Sequence, residues 1–200
     1  MSAPARVVVL AGPSGSGKSR VAERSGLPVL RLDDFYRDHD APGLPRVRFG
    51  DVEVVDWDDV ASWDHDAACD ALERLCRSGT SDVPVYDIAA SRRTGSQRLA
   101  LGGAPLVVAE GLFAPDVVAE LAERGLLAQA FCVRHQRMVT FVLRLVRDLR
   151  EKRKPLGVLL RRGWALMRAE PAVVAAAVDR GCSPVTPRAA ERRIAALRGA

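Results

Sequence analysis

The chain has 200 residues, 48% of them hydrophobic and 28% charged, which is the composition of a folded globular domain and excludes a disordered chain. Its longest apolar runs, such as Val7–Ala11 and Ala172–Val178, are too short to cross a bilayer, and its first residues lack the pattern of a signal peptide. The formal net charge of +5 favours anionic partners, while four scattered cysteines without metal-ligand spacing are typical of a reducing cytoplasm.

Strand and helix patterns alternate along the chain, which indicates an α/β fold with a mostly parallel sheet. The expected strands are Arg6–Ala11, Pro28–Leu32, Leu106–Ala109 and Ala130–Val133. The expected helices are Lys18–Ser25, Asp64–Arg77, Pro115–Glu123, His135–Glu151 and Leu156–Ala169. Pro42–Arg48 is expected to be a loop, and the Pro- and Arg-rich tail 181–200, with no convincing strand, is expected to be loosely ordered. We therefore expect a single cytoplasmic domain over residues 1–200 without membrane contact; a homo-oligomer is left open.

The first strand runs straight into a glycine-rich loop with the pattern G-x-x-x-x-G-K-[ST], made of Gly12, Pro13, Ser14, Gly15, Ser16, Gly17, Lys18 and Ser19. Its glycines let backbone N–H groups point inward, and the helix that follows adds the positive end of its dipole. In such a loop Lys18 reaches the β- and γ-phosphates of a nucleotide, and the Ser19 hydroxyl binds Mg²⁺. A chance match is the alternative, but the flanking strand and helix favour a triphosphate site. The expected fold is therefore a three-layer P-loop NTPase-type α/β fold.

Carboxylates follow two of the other expected strands. Asp33 and Asp34 come after the second strand, and Glu110 ends the apolar run "PLVVAE". The carboxyl ends of parallel strands share one edge of the sheet, so these groups should lie near the phosphate loop. Glu110 is expected to hold Mg²⁺ opposite Ser19, the alternative being a residue placed to suit a helix dipole. For the Asp pair, the simple alternative is a surface turn.

Six segments, in this order, resemble the uridine kinase (uridine–cytidine kinase) family: "GPSGSGKS", "LDDFYR", "WDHDAACD", "VPVYD", "AEGLF" and "RLVRDLREKRK". The resemblance spans roughly Arg6 to Lys154, and phosphoribulokinases share parts of the same layout. It implies a Mg²⁺-dependent kinase that transfers the γ-phosphate of ATP or GTP to the 5′-hydroxyl of a nucleoside such as uridine or cytidine. A kinase of another hydroxylated metabolite, such as a sugar phosphate, is the alternative within enzymes.

The resemblance assigns roles to four residues on the acceptor side. It places Asp33 beside both Mg²⁺ and the acceptor hydroxyl, where a carboxylate can orient that hydroxyl and accept its proton. Tyr36 becomes a tyrosine of the acceptor pocket, although an aromatic after a strand is as often core. Asp64 would bind the ribose hydroxyls, the alternative being a helix N-cap. Tyr86 would form a wall of the base pocket.

The chain departs from the family at two points. Ile88 stands where the family has an aromatic residue, and Ser91 stands near the place of a histidine that reads the pyrimidine. A base site without these groups discriminates differently, so the identity of the acceptor stays open. Asp34 occupies a position that the family does not reserve for a carboxylate, and we expect it to be solvated or to cap a turn.

A basic stretch lies between Arg134 and Arg168. The resemblance makes residues 144–168 a helical lid in which Arg144 and Arg147 act in catalysis, Arg144 also contacts the substrate, and Lys152 and Lys154 bind the nucleotide. A solvated basic face and a nucleotide-dependent RNA-binding protein are the alternatives. Phe141 and Trp164 are the only Phe, Tyr or Trp residues in this stretch, so aromatic residues do not alternate with the basic ones, which argues against nucleic acid as a partner.

Overall fold

The computed structural model describes residues 3–134 and 170–199. The strands within these ranges are, in chain order, β1 (Arg6–Ala11), β2 (Val29–Arg31), β3 (Arg46–Phe49), β4 (Val52–Val55), β5 (Thr80–Asp87), β6 (Arg92–Ala100), β7 (Leu106–Glu110), β8 (Leu127–Val133) and β9 (Ser183–Val185). The helices are α1 (Lys18–Ser25), α2 (His65–Ser78), α3 (Val118–Glu123), a helical segment at 170–179, and α4 (Pro187–Arg198). The helices expected at His135–Glu151 and Leu156–Ala169, and with them the lid, lie outside the described residues.

Five strands form the central sheet in the order β2-β7-β1-β8-β9, and every neighbouring pair in it is parallel. The sheet is buried on both faces, which explains why β1 reads as a continuous apolar run. Val7 and Val9 pack in one core with residues of α2 and α3, while Val8 and Leu10 pack in a second core with residues of α1 and α4. The expected α/β class, with three layers and a parallel sheet, is confirmed.

Most of the expected elements are present with small shifts. β1 and α1 have the expected bounds, and α2 begins one residue late because Asp64 is its N-cap. The second strand is shorter than Pro28–Leu32, since Leu32 already belongs to a 3-10 turn that ends at Phe35. Within the described ranges, no helix combines the length and the apolar character needed to span a membrane.

Two antiparallel hairpins, β3–β4 and β5–β6, were not anticipated from the sequence. The expected loop Pro42–Arg48 ends early, because β3 begins at Arg46. β4 and β6 are largely exposed, and β5 alternates between exposed and buried residues only over its first four positions, so the apolar run that marks buried strands is missing there. Both hairpins lie near the 3-10 turn that carries Asp33, since Tyr36 just after this turn contacts Trp57, which follows β4, and Tyr86 of β5.

The tail after Gly181 is ordered, and the expectations of a loose tail and of no strand were wrong. β9 pairs with β8 at the edge of the sheet, and Ile194 of α4 is only 1% exposed against the second core. Thr186 caps α4 by accepting a hydrogen bond from the Ala189 N–H, and Pro187 occupies its first turn. This Thr-Pro pair is a helix start signal that the sequence already contained.

Candidate active site

The phosphate loop has the geometry that its glycines predict. Gly12 adopts φ +133°, and a Cβ at this position would lie 2.2 Å from the backbone oxygen of Val133, so no other residue fits. Lys18 Nζ donates hydrogen bonds to the carbonyl oxygens of Gly12 at 2.7 Å and Pro13 at 3.4 Å. The loop therefore folds around the lysine ammonium, and phosphate oxygens are the natural replacement for these carbonyl acceptors.

Glu110 lies directly opposite the start of α1. The β1–β7 register pairs Leu10 with Glu110, so the carboxylate ends level with the entry to the loop. The Ser19 hydroxyl donates to Glu110 Oε2 at 3.2 Å. Burial and the nearby charge of Asp33 raise the pKa of Glu110, while Lys18 and Ser19 act in the opposite direction. A bound cation would offset the cost of keeping this half-buried group ionised.

Asp33 stands beside this pair at the same edge of the sheet. It lies in the 3-10 turn Leu32–Phe35, and its Oδ1 accepts a hydrogen bond from the backbone N–H of Leu112 at 2.8 Å. Gly111 makes this approach possible, because a Cβ there would be 2.7 Å from Asp33 Oδ1 and 2.8 Å from the Cβ of Leu32. Sequence reasoning missed Gly111, although the "EG" after the strand was visible.

The oxygen atoms of Ser19, Asp33 and Glu110 form a donor set that suits Mg²⁺. Magnesium prefers hard oxygen ligands and is usually held by one or two carboxylates together with water and substrate phosphates. Among the described residues, no group of three or more His, Cys, Asp or Glu could hold a metal alone. The residues therefore fit a cation that binds together with a nucleotide.

Asp34 does not behave as expected. It is 9% exposed rather than solvated, and burial raises its pKa, an effect to which the charge of Asp33 adds. Arg31 at 3.9 Å and a hydrogen bond from the Tyr86 backbone act in the opposite direction. The 3-10 turn rotates successive side chains to different sides, so the two adjacent carboxylates separate. Asp34 thus secures the turn to β5, and Asp33 is left for the site.

Tyr36 and Tyr86, which the resemblance assigned to the acceptor side, lie next to each other. The Tyr36 ring contacts Trp57, Tyr86 and Phe113 with centroid distances of 5.6, 5.8 and 5.8 Å. The Tyr36 hydroxyl donates to the carbonyl of Trp57 at 3.1 Å, and burial raises the pKa of Tyr36. Because its hydroxyl is engaged with backbone, Tyr36 offers mainly its ring to a ligand.

Asp64 is the N-cap of α2, which was the alternative to its ribose role. Its Oδ1 accepts from the Ala67 N–H at 3.2 Å, and its Oδ2 pairs with the Arg93 guanidinium at 3.0 Å. Arg93 also donates from Nε to the carbonyl of Tyr36 at 3.2 Å. The β5–β6 register places Arg93 opposite Tyr86, so Arg93 connects this strand pair to Tyr36 and Asp64. Sequence reasoning did not select Arg93, because only the unrecognised hairpin brings it here.

The predicted residues thus form two neighbouring groups. Lys18, Ser19, Asp33 and Glu110 meet at the carboxyl edge of the sheet, and Tyr36, Asp64 and Tyr86 form the wall beside them. The lid residues Arg144, Arg147, Lys152 and Lys154 lie outside the described residues.

No protein-family model matches the chain. Among proteins of known name, it is 33% identical over 116 residues to a uridine kinase of Schizosaccharomyces pombe, covering 54% of this chain and 25% of that protein. It is 26% identical over 170 residues to a uridine kinase of Geobacillus kaustophilus, covering 81% of this chain and 76% of that protein. The inorganic pyrophosphatase TTM2 of Arabidopsis thaliana is 30% identical over 113 residues, which is 54% of this chain and 15% of that protein. The chain therefore spans only part of the length of several relatives.

Among solved structures, a candidate fructose transport system kinase from Silicibacter sp. TM1040 superposes with a TM-score of 0.57 at 16% identity and covers 86% of each chain. This likeness concerns the fold. Fold and phosphate loop together define an α/β protein of the P-loop NTPase type. The similarity to two uridine kinases agrees with the resemblance that the sequence segments indicated.

Proposed function

We propose that this protein is a Mg²⁺-dependent kinase that transfers the γ-phosphate of ATP or GTP to the 5′-hydroxyl of a nucleoside, with a uridine- or cytidine-like acceptor. The observation that carries the proposal is the contact between Ser19 and Glu110 at 3.2 Å, with Asp33 beside it at the same sheet edge. A triphosphate loop and a free carboxylate at one edge are what phosphoryl transfer to a hydroxyl requires.

The loop supplies the nucleotide site. Backbone N–H groups of Gly12 and of residues 14–19, together with the N-terminus of α1, would surround the phosphates, since the glycine conformations open the loop inward. Lys18 would exchange its carbonyl acceptors at Gly12 and Pro13 for phosphate oxygens. Such positioning is the larger part of catalysis in phosphoryl transfer, which asks little covalent work of the protein.

Asp33 is proposed as the residue that binds the acceptor hydroxyl. Its Oδ1 is fixed by the Leu112 N–H, whereas its Oδ2 has no hydrogen-bond partner within the described residues. An oxygen held in this way can accept a hydrogen bond from the acceptor hydroxyl and take its proton as the new O–P bond forms. Fixing one oxygen of the carboxylate orients the other, which keeps the hydroxyl in line with the phosphate.

Ser19, Asp33 and Glu110 are the residues that would hold Mg²⁺. When bound, the ion neutralises charge on the phosphoryl group that is transferred. The Ser19 hydroxyl donates to Glu110, so two of these donors lie together. Tyr36, Asp64 and Tyr86 are proposed to hold the acceptor, and Arg144, Arg147, Lys152 and Lys154 remain predicted lid residues.

The test is ADP production with Mg-ATP and a panel of nucleosides, free sugars and sugar phosphates. Asp33→Asn should keep nucleotide affinity within a few-fold and lower turnover by about 10²-fold, as loss of a general base does. The matched control is Glu123→Gln, which changes an exposed carboxylate on α3 and should keep turnover within a few-fold. Equal losses in both variants would contradict the role of Asp33. ADP production that no acceptor stimulates would overturn the kinase proposal.

A further inference from the structure

The side chain of Ser16 lies inside the phosphate loop, and the glycine pattern of the loop gives this side chain no task. Ser16 is 0% exposed, and its hydroxyl has no hydrogen-bond partner among the described residues. Its backbone N–H, in contrast, donates to the carbonyl of Pro13 at 3.1 Å. A buried hydroxyl without a partner costs free energy, so its place in a nucleotide loop needs an explanation.

The Ser16 hydroxyl is enclosed by the loop itself. A Cβ built on Gly12 would lie 3.2 Å from Ser16 Oγ and 2.2 Å from the carbonyl oxygen of Val133, the last residue of β8. Since the hydroxyl oxygen is not accessible to solvent, a bound phosphate cannot touch it while the loop keeps this conformation. Any effect of this hydroxyl on the nucleotide must therefore act through other atoms of the loop.

Two carbonyl oxygens of the loop connect Ser16 to Lys18. The Lys18 ammonium donates to the carbonyl oxygens of Gly12 at 2.7 Å and Pro13 at 3.4 Å. Ser16 lies beside the same two residues, because its N–H contacts the Pro13 carbonyl and its Oγ is close to Gly12. The lysine thus occupies both acceptors, and the serine hydroxyl next to them is left unpaired.

Nucleotide binding would change this distribution of donors. In the proposed function Lys18 turns to phosphate oxygens, so the Gly12 and Pro13 carbonyls each lose one donor. A carbonyl that loses its partner inside the protein costs free energy, which would weaken the binding of the nucleotide. The Ser16 hydroxyl can offset this loss, because its proton is unused and rotates to suit a nearby acceptor.

We propose that Ser16 is a positioning residue for the nucleotide, whose hydroxyl donates to the Gly12 or Pro13 carbonyl when Lys18 leaves it for the phosphates. The inference rests on the proposed kinase function. It makes the unpaired hydroxyl a cost to the ligand-free loop that disappears when the nucleotide binds. Removal of the hydroxyl should therefore act in opposite directions on the ligand-free and the nucleotide-bound protein.

The first test is Ser16→Ala in the full chain, without ligand and with Mg²⁺ and a non-hydrolysable ATP analogue. Without ligand, the midpoint of denaturant unfolding should equal or exceed that of the wild type, because an unpaired buried hydroxyl is removed. In calorimetry, affinity for the ATP analogue should fall about three- to tenfold, as expected for the loss of one hydrogen bond. A lower ligand-free midpoint would indicate an ordinary structural role and overturn the proposal, and so would unchanged nucleotide affinity.

Ser81→Ala is the matched control. Ser81 is the second buried hydroxyl without a partner among the described residues, and it is 5% exposed near the start of β5. Its replacement should also keep or raise the ligand-free midpoint, but it should leave affinity for the ATP analogue unchanged. An equal loss of nucleotide affinity in both variants would show that the effect does not belong to the loop, and would overturn the proposal.

A double-mutant cycle tests the exchange of donors without any nucleotide. Lys18→Met removes the ammonium and releases the same two carbonyls in the ligand-free chain, so the Ser16 hydroxyl should pair there. Ser16→Ala should then lower the unfolding midpoint in the Lys18→Met background, although it does not in the wild-type background. Equal effects in the two backgrounds would refute the exchange.

The same measurements separate this inference from the proposed function. A wild-type chain that binds no nucleotide would overturn the proposed function and this inference together. Nucleotide binding that is equal in wild type and Ser16→Ala would overturn this inference alone.

Discussion

Gly111 controls the position of the proposed catalytic carboxylate, and replacing it by alanine is the sharpest test of the site geometry. The added Cβ would lie 2.7 Å from Asp33 Oδ1, 2.8 Å from the Leu32 Cβ and 3.2 Å from the Asp33 N. Carbon contacts are normally near 3.5 Å, so the turn and the loop must separate by roughly 0.7 Å. Overpacking of this kind costs about 1–3 kcal/mol of stability. A displacement of this size should lower turnover by about 10- to 100-fold.

The assay combines thermal unfolding with steady-state kinetics on the acceptor that the panel identifies. Gly111→Ala should lower Tm and kcat while affinity for the ATP analogue stays unchanged, because the phosphate loop is not touched. The control is Gly95→Ala in β6, where no atom lies within 4 Å of the added Cβ. We expect its stability to change by less than about 0.5 kcal/mol. A Gly111→Ala protein with wild-type Tm and kcat would refute the reasoning.

Two further predictions concern the Mg²⁺ site and the tail. Burial raises the pKa of Glu110, so its ionised form costs stability that sets in as the pH rises above about 4.3. In denaturant unfolding without ligand, the stability of Glu110→Gln relative to wild type should therefore increase from pH 4 to pH 7. The variant should also lose the stabilisation that Mg-nucleotide gives the wild type. A relative stability of the ligand-free variant that decreases toward pH 7 would contradict this. Ile194→Ala should lower the free energy of unfolding by about 2–4 kcal/mol, because the side chain is 1% exposed in the second core. An unchanged denaturation midpoint would show that α4 is not part of the cooperative unit.

Local patterns account for the parts of the fold that the sequence predicted well. The apolar run of β1 and the glycine spacing after it depend on neighbouring residues alone, so their bounds could be placed directly. The expected meeting of Ser19, Asp33 and Glu110 at one edge followed from parallel strand geometry, and the structure brings these three residues together. Asp34 was misjudged because the rotation of a 3-10 turn separates side chains that are adjacent in sequence.

The acceptor side could not be derived in the same way. Arg93 reaches Asp64 only because β5 and β6 pair, and His39 reaches Ser91 across 52 positions of the chain. Neither hairpin has a buried apolar run, and the alternation at the start of β5 is too short to mark a strand. The tail shows the opposite case. The helix start signal at Thr186 and Pro187 was present in the sequence, but the burial of the tail depends on the pairing of β9 with β8.

The sequence by itself determined the phosphate loop and the order of strands and helices that carries it, because glycine conformations and apolar periodicity act over a few residues. Only the tertiary structure decided which carboxylate faces the site, what Asp64 pairs with, and which aromatic rings contact Tyr36. These features depend on contacts between distant segments, which arise when the sheet and its two hairpins assemble.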